Sequence, residues 1–465
     1  MEKIHSADGE VLMEVSPLID FRNKNNIKPT TLTLVDSPLH AKSNQGTHKE
    51  KQVELSPIHD FSAKLRQPSI INTLKEYVQW QIKWRDAYSK GQSIDEILEQ
   101  APNHAPLSIN LDVTTACNYR CDHCVDMDIL NTGIRYDHEQ LKSSLTTLID
   151  RGLRSVIIIG GGEPTAYPGF ADIVKHLKTR DIQIGVVTNG SRMSQIADVA
   201  EVLTKGDWVR LSLDSGDNET FRAMHKPVSK KVTLDWICSQ IPDIKKINAD
   251  FQIGYSFIVV WKDCEANDTE IIDNTDEIVA AAERAKHYQF DYISYKPFLT
   301  RAEENNAEVV NLTQEENSID NILKKIRTSI DQTKALENEH FAVIESTNLR
   351  VLENGSYKDF IDQPNTCHMQ YFRQVLSPLG VFNCPVYRHV PQALLGGKHE
   401  YQSQETFKET QKNTLRLIDA FDASYECRNV TCLYNHANWL IEDLIRHPEK
   451  LDELAPSEER HDYFL

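Results

Sequence analysis

The chain has 465 residues, 40% of them hydrophobic and 26% charged, an ordinary globular composition that excludes a fibre and a wholly disordered polymer. With 51 basic against 69 acidic residues the net charge is −18, which argues against generic nucleic-acid binding and leaves only a local basic pocket for a phosphate. No apolar run reaches the roughly 20 residues a bilayer needs, and the opening MEKIHSADGE lacks an apolar signal segment, so the nine cysteines are expected in a reducing cytosol without structural disulfides.

Residues 1–65 read as a polar, partly ordered extension. They carry a short echo, EVSPLIDF around Pro17 and ELSPIHDF around Pro57, either tail or a repeated docking strand, and too brief for a solenoid. A helical lead-in occupies 66–104: Ile70, Ile71, Leu74, Tyr77, Val78, Ile82 and Trp84 recur at helical spacing over Ser69–Tyr88. From 105 to 300, β-branched runs alternate with helical patterns. The strands are Leu107–Val113, Ser155–Ile159, Gln183–Thr188, Trp208–Leu213, Phe251–Val260 and Asp291–Lys296; the helices between them include His138–Arg151, Phe170–Thr179, Met193–Leu203 and Asn274–His287. Strict alternation argues for a parallel sheet covered on both faces, and six units predict an α/β fold, a partial (β/α)6 TIM-type barrel. A helical connection over 301–365 leads to a smaller α+β, cysteine-bearing domain over 366–440, then to a C-terminal helix and acidic tail over 441–465.

After the first predicted strand comes Cys117-Asn-Tyr-Arg-Cys121-Asp-His-Cys124. Three thiolates on one loop can converge on a soft metal centre. A structural zinc with His123 as fourth ligand is one reading; a cluster with three protein ligands and one open iron is the other. After the second strand stands Gly160-Gly161-Gly162-Glu163-Pro164, in which glycines permit close backbone approach and a carboxylate answers an ammonium; its plain reading is a turn. The third strand ends in Thr188-Asn189-Gly190, and the fourth runs through Ser212 and Asp214, with Arg222 following. Singly these are turns and caps. Together they share the carboxyl ends of successive strands, the face where such barrels work.

In this C-x3-C-x2-C spacing and the segments that follow in order, the chain resembles the radical S-adenosylmethionine superfamily over about 107–300. The resemblance implies a 4Fe–4S cluster on Cys117, Cys121 and Cys124 whose open iron is chelated by S-adenosylmethionine, with His123 near the adenine. It implies Gly161, Gly162 and Glu163 at the methionine amino group, and Asn189, Ser212 and Arg222 at the ribose and carboxylate. The expected chemistry is one-electron cleavage of S-adenosylmethionine to a 5′-deoxyadenosyl radical that takes hydrogen from a substrate. A flavodoxin or ferredoxin is the expected electron donor, docking on a local basic patch.

Cys367, Cys384, Cys427 and Cys432 form a second set able to complete a tetrathiolate site for zinc or a second cluster. Given the first set, this region resembles the SPASM and twitch domains; four cysteines rather than about seven imply one auxiliary 4Fe–4S cluster, for electron transfer or structure. Cys238 and Cys264 read as core or surface thiols, and His368, His389 and His436 as hydrogen-bonded surface groups, the alternative being that one of them is a ligand or touches substrate. The substrate is expected to be a polar small molecule such as an amino sugar, nucleoside or sugar nucleotide. The alternative is maturation of a ribosomally made peptide, and a remote one is a non-catalytic zinc or cluster-binding regulator. The catalytic residue on the substrate is not assigned.

Overall fold

The structure, a computed structural model, describes residues 2–5, 11–15, 55, 57–92, 94–266, 269–302, 308–310, 316–355 and 358–465. The first copy of the echo lies outside the described residues except for Glu14 and Val15; the second is described at Leu55 and from Pro57 onward.

The spine is one ten-stranded sheet. All six predicted strands are present: β1 (Ser108–Leu111), β2 (Ser155–Ile158), β3 (Gln183–Thr188), β4 (Trp208–Ser212), β5 (Gln252–Val259) and β6 (Tyr292–Pro297). Each is parallel to the next. Four further strands extend the sheet. β7 (Ala342–Glu345) joins parallel to β6, and β8 (Arg373–Ser377) joins parallel to β1. β9 (Gly380–Phe382) and β10 (Leu394–Gly396) continue antiparallel from β8. The barrel wall therefore has eight parallel strands rather than six, and the sheet ends on β7 and β10 as an open barrel. The connection expected to be helical contributes β7 as well as the helix Glu316–Lys334. The cysteine-bearing hairpin is not set apart either, because β8 continues the barrel sheet.

Alternation along each strand separates two faces. Val156, Ile158, Ile184, Val186, Val209, Leu211, Ile253 and Phe257 are fully buried in the layer shared with the helices His138–Ile149, Phe170–Lys178, Met193–Ala200 and Ile278–His287. Their alternates form the other, concave face: Asn110, Gly185, Arg210, Ser212, Gly254, Ser256, Ser294 and Lys296. The same face also carries Ile157, Val187, Trp208, Tyr292 and Ile258, so it mixes polar, cationic and large apolar side chains where the outer one is apolar.

The lead-in helix Ile71–Ser89 packs on the helix Asn435–Arg446 in a second apolar cluster. Arg85 clamps Glu442 bidentately at 2.9 and 2.7 Å, and His368 lies between Glu442 Oε2 (3.1 Å) and the Tyr77 hydroxyl (2.9 Å). His368, read as a surface group, is completely buried. The second copy of the echo is folded rather than tail-like. Asp60 caps the helix Phe61–Leu65 by accepting from the Ala63 N–H at 2.9 Å, and Phe61 packs on Tyr434 with ring centroids 4.8 Å apart. The tail, expected only to be acidic, also docks. Ser155 donates to the Tyr463 carbonyl at 2.7 Å, the Tyr463 N–H donates to Gln183 Oε1 at 2.9 Å, and Phe464 packs on Trp208. All three partners belong to the first residues of β2, β3 and β4, so the tail covers the amino-terminal end of the barrel. Among the described residues no helix is long and apolar enough to cross a membrane.

Candidate active site

The loop after β1 carries Cys117, Cys121 and Cys124, all half-buried. Burial first, and then the charges of Cys124 and Cys117, push the Cys121 thiol well above its ordinary pKa. Cys124 is raised to about 12 by burial, by Asp126 and by Cys117. The three sulfurs thus lie within reach of one another's charge. Without a cation between them they hold protons; a cationic centre makes them thiolates. Asn131 Oδ1 accepts from the Cys117 N–H at 2.9 Å, and Cys117 Sγ accepts from the Tyr119 N–H at 3.4 Å.

His225 and Asp214 join this loop, and the sequence reading had given neither a part in it. His225 Nδ1 is 3.2 Å from Cys121 Sγ, and the donor atoms of Cys121, His123 and His225 lie within 4.8 Å of one another. Asp214 Oδ2 is 3.3 Å from Nε2 of both His123 and His225, while its Oδ1 accepts from the Ile258 N–H at 2.7 Å. Burial opposes ionisation of Asp214, but the two imidazoles overcome it and hold the carboxyl below the usual range. Nδ1 of His123 is buried and has no hydrogen-bond partner among the described residues.

The glycine turn after β2 approaches the β1 loop closely. Gly160 and Gly161 have φ of +78° and +66°, which a side chain resists, and a Cβ on Gly160 would come within 2.5 Å of Arg388 Nη1. The Gly162 position has no space for a Cβ beside the Ala116 carbonyl. Glu163 is 2% exposed, and its carboxylate accepts four hydrogen bonds: from the Thr165 N–H (3.0 Å), the Thr165 and Thr188 hydroxyls (2.6 Å each) and the Asn189 N–H (2.8 Å). It therefore ties the ends of β2 and β3 together. Asn189 donates to Asn118 Oδ1 at 3.0 Å, joining that tie to the cysteine loop. Ser212 is half-buried on the concave face. Arg222 is exposed, with its guanidinium donating to the Lys230 carbonyl at 3.2 Å, so these contacts do not bring it to the other residues.

A charged cluster fills the carboxyl end of β1. Arg388 Nη2 is 2.8 Å from Asp126 Oδ2, which also accepts from the Gly161 N–H at 3.2 Å. His389, with φ of +61°, places Nε2 3.2 Å from Asp112 Oδ2 and 2.9 Å from Ser377 Oγ. Burial raises Asp112, whereas Arg388 and His389 overcome burial and hold Asp126 below its usual value. His389, read as a surface group, is buried. Its hydrogen bonds to Asp112 and Asp126 outweigh burial and raise its pKa. Neither the spacing nor the composition of the sequence links Asp112 or Asp126 to residues some 262 positions away; only the β8–β1 pairing does.

The second cysteine set also converges. Cys367 precedes the short helix Met369–Phe372, Cys384 follows β9, Cys427 ends the helix Ala423–Glu426, and Cys432 precedes the helix Asn435–Arg446. Burial, then Cys432, Cys367 and Cys384, raise Cys427 well above an ordinary thiol, and burial, then Cys367 and Cys384, do the same to Cys432. Asn438 Nδ2 donates to Cys367 Sγ at 3.6 Å. Four soft donors in one neighbourhood are the kind of set a tetrathiolate centre uses. His436 is only half-buried, whereas Cys238 and Cys264 are buried in the apolar core.

Comparison with known proteins gives the following. A family model described as the Radical SAM superfamily matches residues 111–269. An S-adenosylmethionine-dependent nucleotide dehydratase of Thermoplasmatales archaeon (strain ISO4-H5) is 33% identical over 24% of this chain and 38% of its own length. Mycofactocin maturase MftC of Mycolicibacterium smegmatis is 27% identical over 42% of this chain and 46% of its own. The chain thus spans less than half the length of these curated relatives. Among solved structures, SuiB of Streptococcus suis superposes with a TM-score of 0.43 at 15% identity, covering 72% of this chain and 77% of SuiB.

Proposed function

From the premise that this chain is a radical SAM enzyme, we propose that it acts on a polar small molecule held in the barrel lumen. The observation that carries this reading is the lumen itself. Its concave face carries the polar and cationic side chains Asn110, Arg210, Ser212, Ser256, Ser294 and Lys296, and the docked tail covers its amino-terminal end. His59 is held at a pKa of about 3 by burial and by the cations Lys64, Lys296, Arg210 and Arg373. Its Nδ1 lies 3.1 Å from the Thr347 hydroxyl and accepts from the Thr347 N–H at 3.3 Å, just after β7. A chamber closed in this way suits a compact substrate better than an extended chain.

The donor sets fit two iron–sulfur clusters, one on Cys117, Cys121 and Cys124 and an auxiliary one on Cys367, Cys384, Cys427 and Cys432. When bound, the first cluster and S-adenosylmethionine supply reductive cleavage of the sulfonium and a carbon radical that abstracts hydrogen. The chain's own residues do the rest. Gly161 and Gly162 admit the methionine end close to the backbone, and Glu163 fixes the two strand ends that carry it. The unpartnered Nδ1 of His123 is free for the adenine, with Asp214 holding the ring from the opposite nitrogen. Asp112, Asp126, Arg388 and His389 line the mouth facing the substrate, and a flavodoxin or ferredoxin is the proposed electron donor.

Peptide maturation is the second reading, favoured by the similarity to a mycofactocin maturase; the similarity to nucleotide dehydratases favours the first. The test is 5′-deoxyadenosine release by anaerobic, reduced enzyme with S-adenosylmethionine, in the presence of nucleosides, sugar nucleotides, amino sugars or short peptides. Acceleration by a small molecule is expected, and acceleration by peptides alone would overturn the proposal.

A further inference from the structure

Two cations in the lumen have no hydrogen-bond or ion-pair partner among the described residues. Arg210 stands on the concave face of β4 and Lys296 on that of β6, with β5 between them. Among the described residues neither makes a hydrogen bond or an ion pair. Arg210 packs over the Trp208 ring at 5.1 Å, and its Nε is buried and unpartnered. Ser294 Oγ, two residues before Lys296 on the same face, is likewise buried and unpartnered.

Both cations keep partly open surfaces, yet burial is the first cause lowering the pKa of each. Surface that is open but enclosed is cavity wall. The charge of Arg210 further lowers Lys296, and both side chains belong to the concave face, two strands apart. Asp214, the carboxylate that acts on both, is already taken by His123, His225 and the Ile258 N–H. Beside Arg210, Gly254 keeps the wall low: it is in register with Arg210 and with Tyr292, and a Cβ there would strike the Tyr292 ring, while Lys296 stands level with Ile258.

An uncompensated interior charge is destabilising unless something completes it. This chain carries a net charge of −18, and yet among the described residues nothing pairs with these two cations of its barrel. We infer that Arg210 and Lys296, with Ser294, form a subsite in the lumen for an anionic group of the substrate, a phosphate or a carboxylate. The guanidinium fork meets two oxygens of either group, and the ammonium adds a point charge. Arg210 lies mid-strand, below the strand ends that carry Gly161 and Asn189, so the anion belongs to a molecule deeper than the glycine turn. This inference rests on the lumen as substrate chamber and narrows the substrate to an anionic one.

The experiment is thermal unfolding of the full-length, anaerobically reconstituted protein in inorganic phosphate, pyrophosphate or malonate at constant ionic strength. A saturable rise in Tm is expected with at least one of them, because an anion that binds only the folded state stabilises it. Phosphates or malonate giving the larger rise identifies the group as phosphate or carboxylate. Arg210→Met and Lys296→Met are expected to abolish the rise while their anion-free Tm stays level or increases, since each removes an uncompensated charge. Calorimetric affinity for S-adenosylmethionine is expected to be unchanged. The inference is overturned if no anion raises the Tm of the unaltered protein, if the rise survives in both variants, or if the variants lose anion-free stability or S-adenosylmethionine affinity. Because the measurement needs no turnover, its failure is distinct from failure of the 5′-deoxyadenosine test.

Discussion

Glu163 illustrates how a residue's surroundings change the meaning of its motif. The Gly-Gly-Glu sequence was legible as a ligand-approach turn, and its carboxylate was expected at the methionine ammonium. In the fold that carboxylate accepts four protein hydrogen bonds, and burial raises its pKa. Glu163→Ala would leave the Thr188 hydroxyl and the Asn189 N–H unpaired in a buried place, each costing about 1–3 kcal/mol. The expected outcome is therefore a lower denaturation midpoint even without S-adenosylmethionine, with Glu163→Gln intermediate because it keeps one acceptor oxygen. An Ala variant as stable as the parent, but weak in cofactor binding, would return Glu163 to a purely ligand-facing role. The other polar residues of the mouth were illegible for a simpler reason: Asp112, Arg388 and His389 carry no local signature and meet only through long-range strand pairing.

At the scale of elements, legibility followed hydrophobicity. The strands β1 to β6 are apolar runs covered on both faces, which a sequence displays directly. β7 reads AVIE at the sheet's edge and is only partly buried, so it lacks that signal. β8 begins Arg373-Gln374, polar residues that bond to Asn110 (2.7 Å), Thr414 (3.0 Å) and the hydroxyls of Tyr434 and Tyr401. The helix Gln404–Ala420 was missed similarly, because it buries Thr410, Asn413 and Thr414 among its apolar positions. The cysteines were legible because spacing survives any fold, and the elements keep their two sets apart. One hangs on the loop after β1; the other gathers at the ends of β9 and of two late helices, and the thiols acting on Cys121 and on Cys427 come from each one's own set. Replacing both Cys427 and Cys432 by alanine should therefore leave about half of the roughly eight irons expected for two 4Fe–4S clusters. It should also preserve 5′-deoxyadenosine formation, while product yield falls if the auxiliary centre accepts an electron. Loss of all iron, or iron replaced by zinc in the parent protein, would refute two independent cluster sites.

Across the whole molecule, the barrel is closed by its own two flanks. Residues 57–67 lie against 457–465, whose last residues in turn lie against the amino-terminal ends of β2 to β4. Gln67 donates to the Asp462 carbonyl at 2.9 Å and accepts from the Arg460 N–H at 3.0 Å, while Ser457 donates to the Ala63 carbonyl at 2.7 Å. Lys64, only 6% exposed, reaches Asp462 Oδ2 at 3.0 Å and the Phe464 carbonyl at 2.6 Å. Burial lowers its pKa and Asp462 raises it, so the ammonium depends on the tail for compensation. Removing residues 457–465 would strip Lys64 of both partners; breaking a buried ion pair costs about 3–5 kcal/mol, and the loss of Phe464 from the Trp208 ring adds to this. The expected result is a lower Tm together with new proteolytic cleavage within 55–70, because the helix Phe61–Leu65 would lose the segment that pins it. Both cysteine sets lie on other elements, so iron content should stay level. If cleavage instead stayed absent and stability unchanged, the tail would be an ornament on the barrel rather than its floor, and the lumen would owe its closure to the lead-in segment alone.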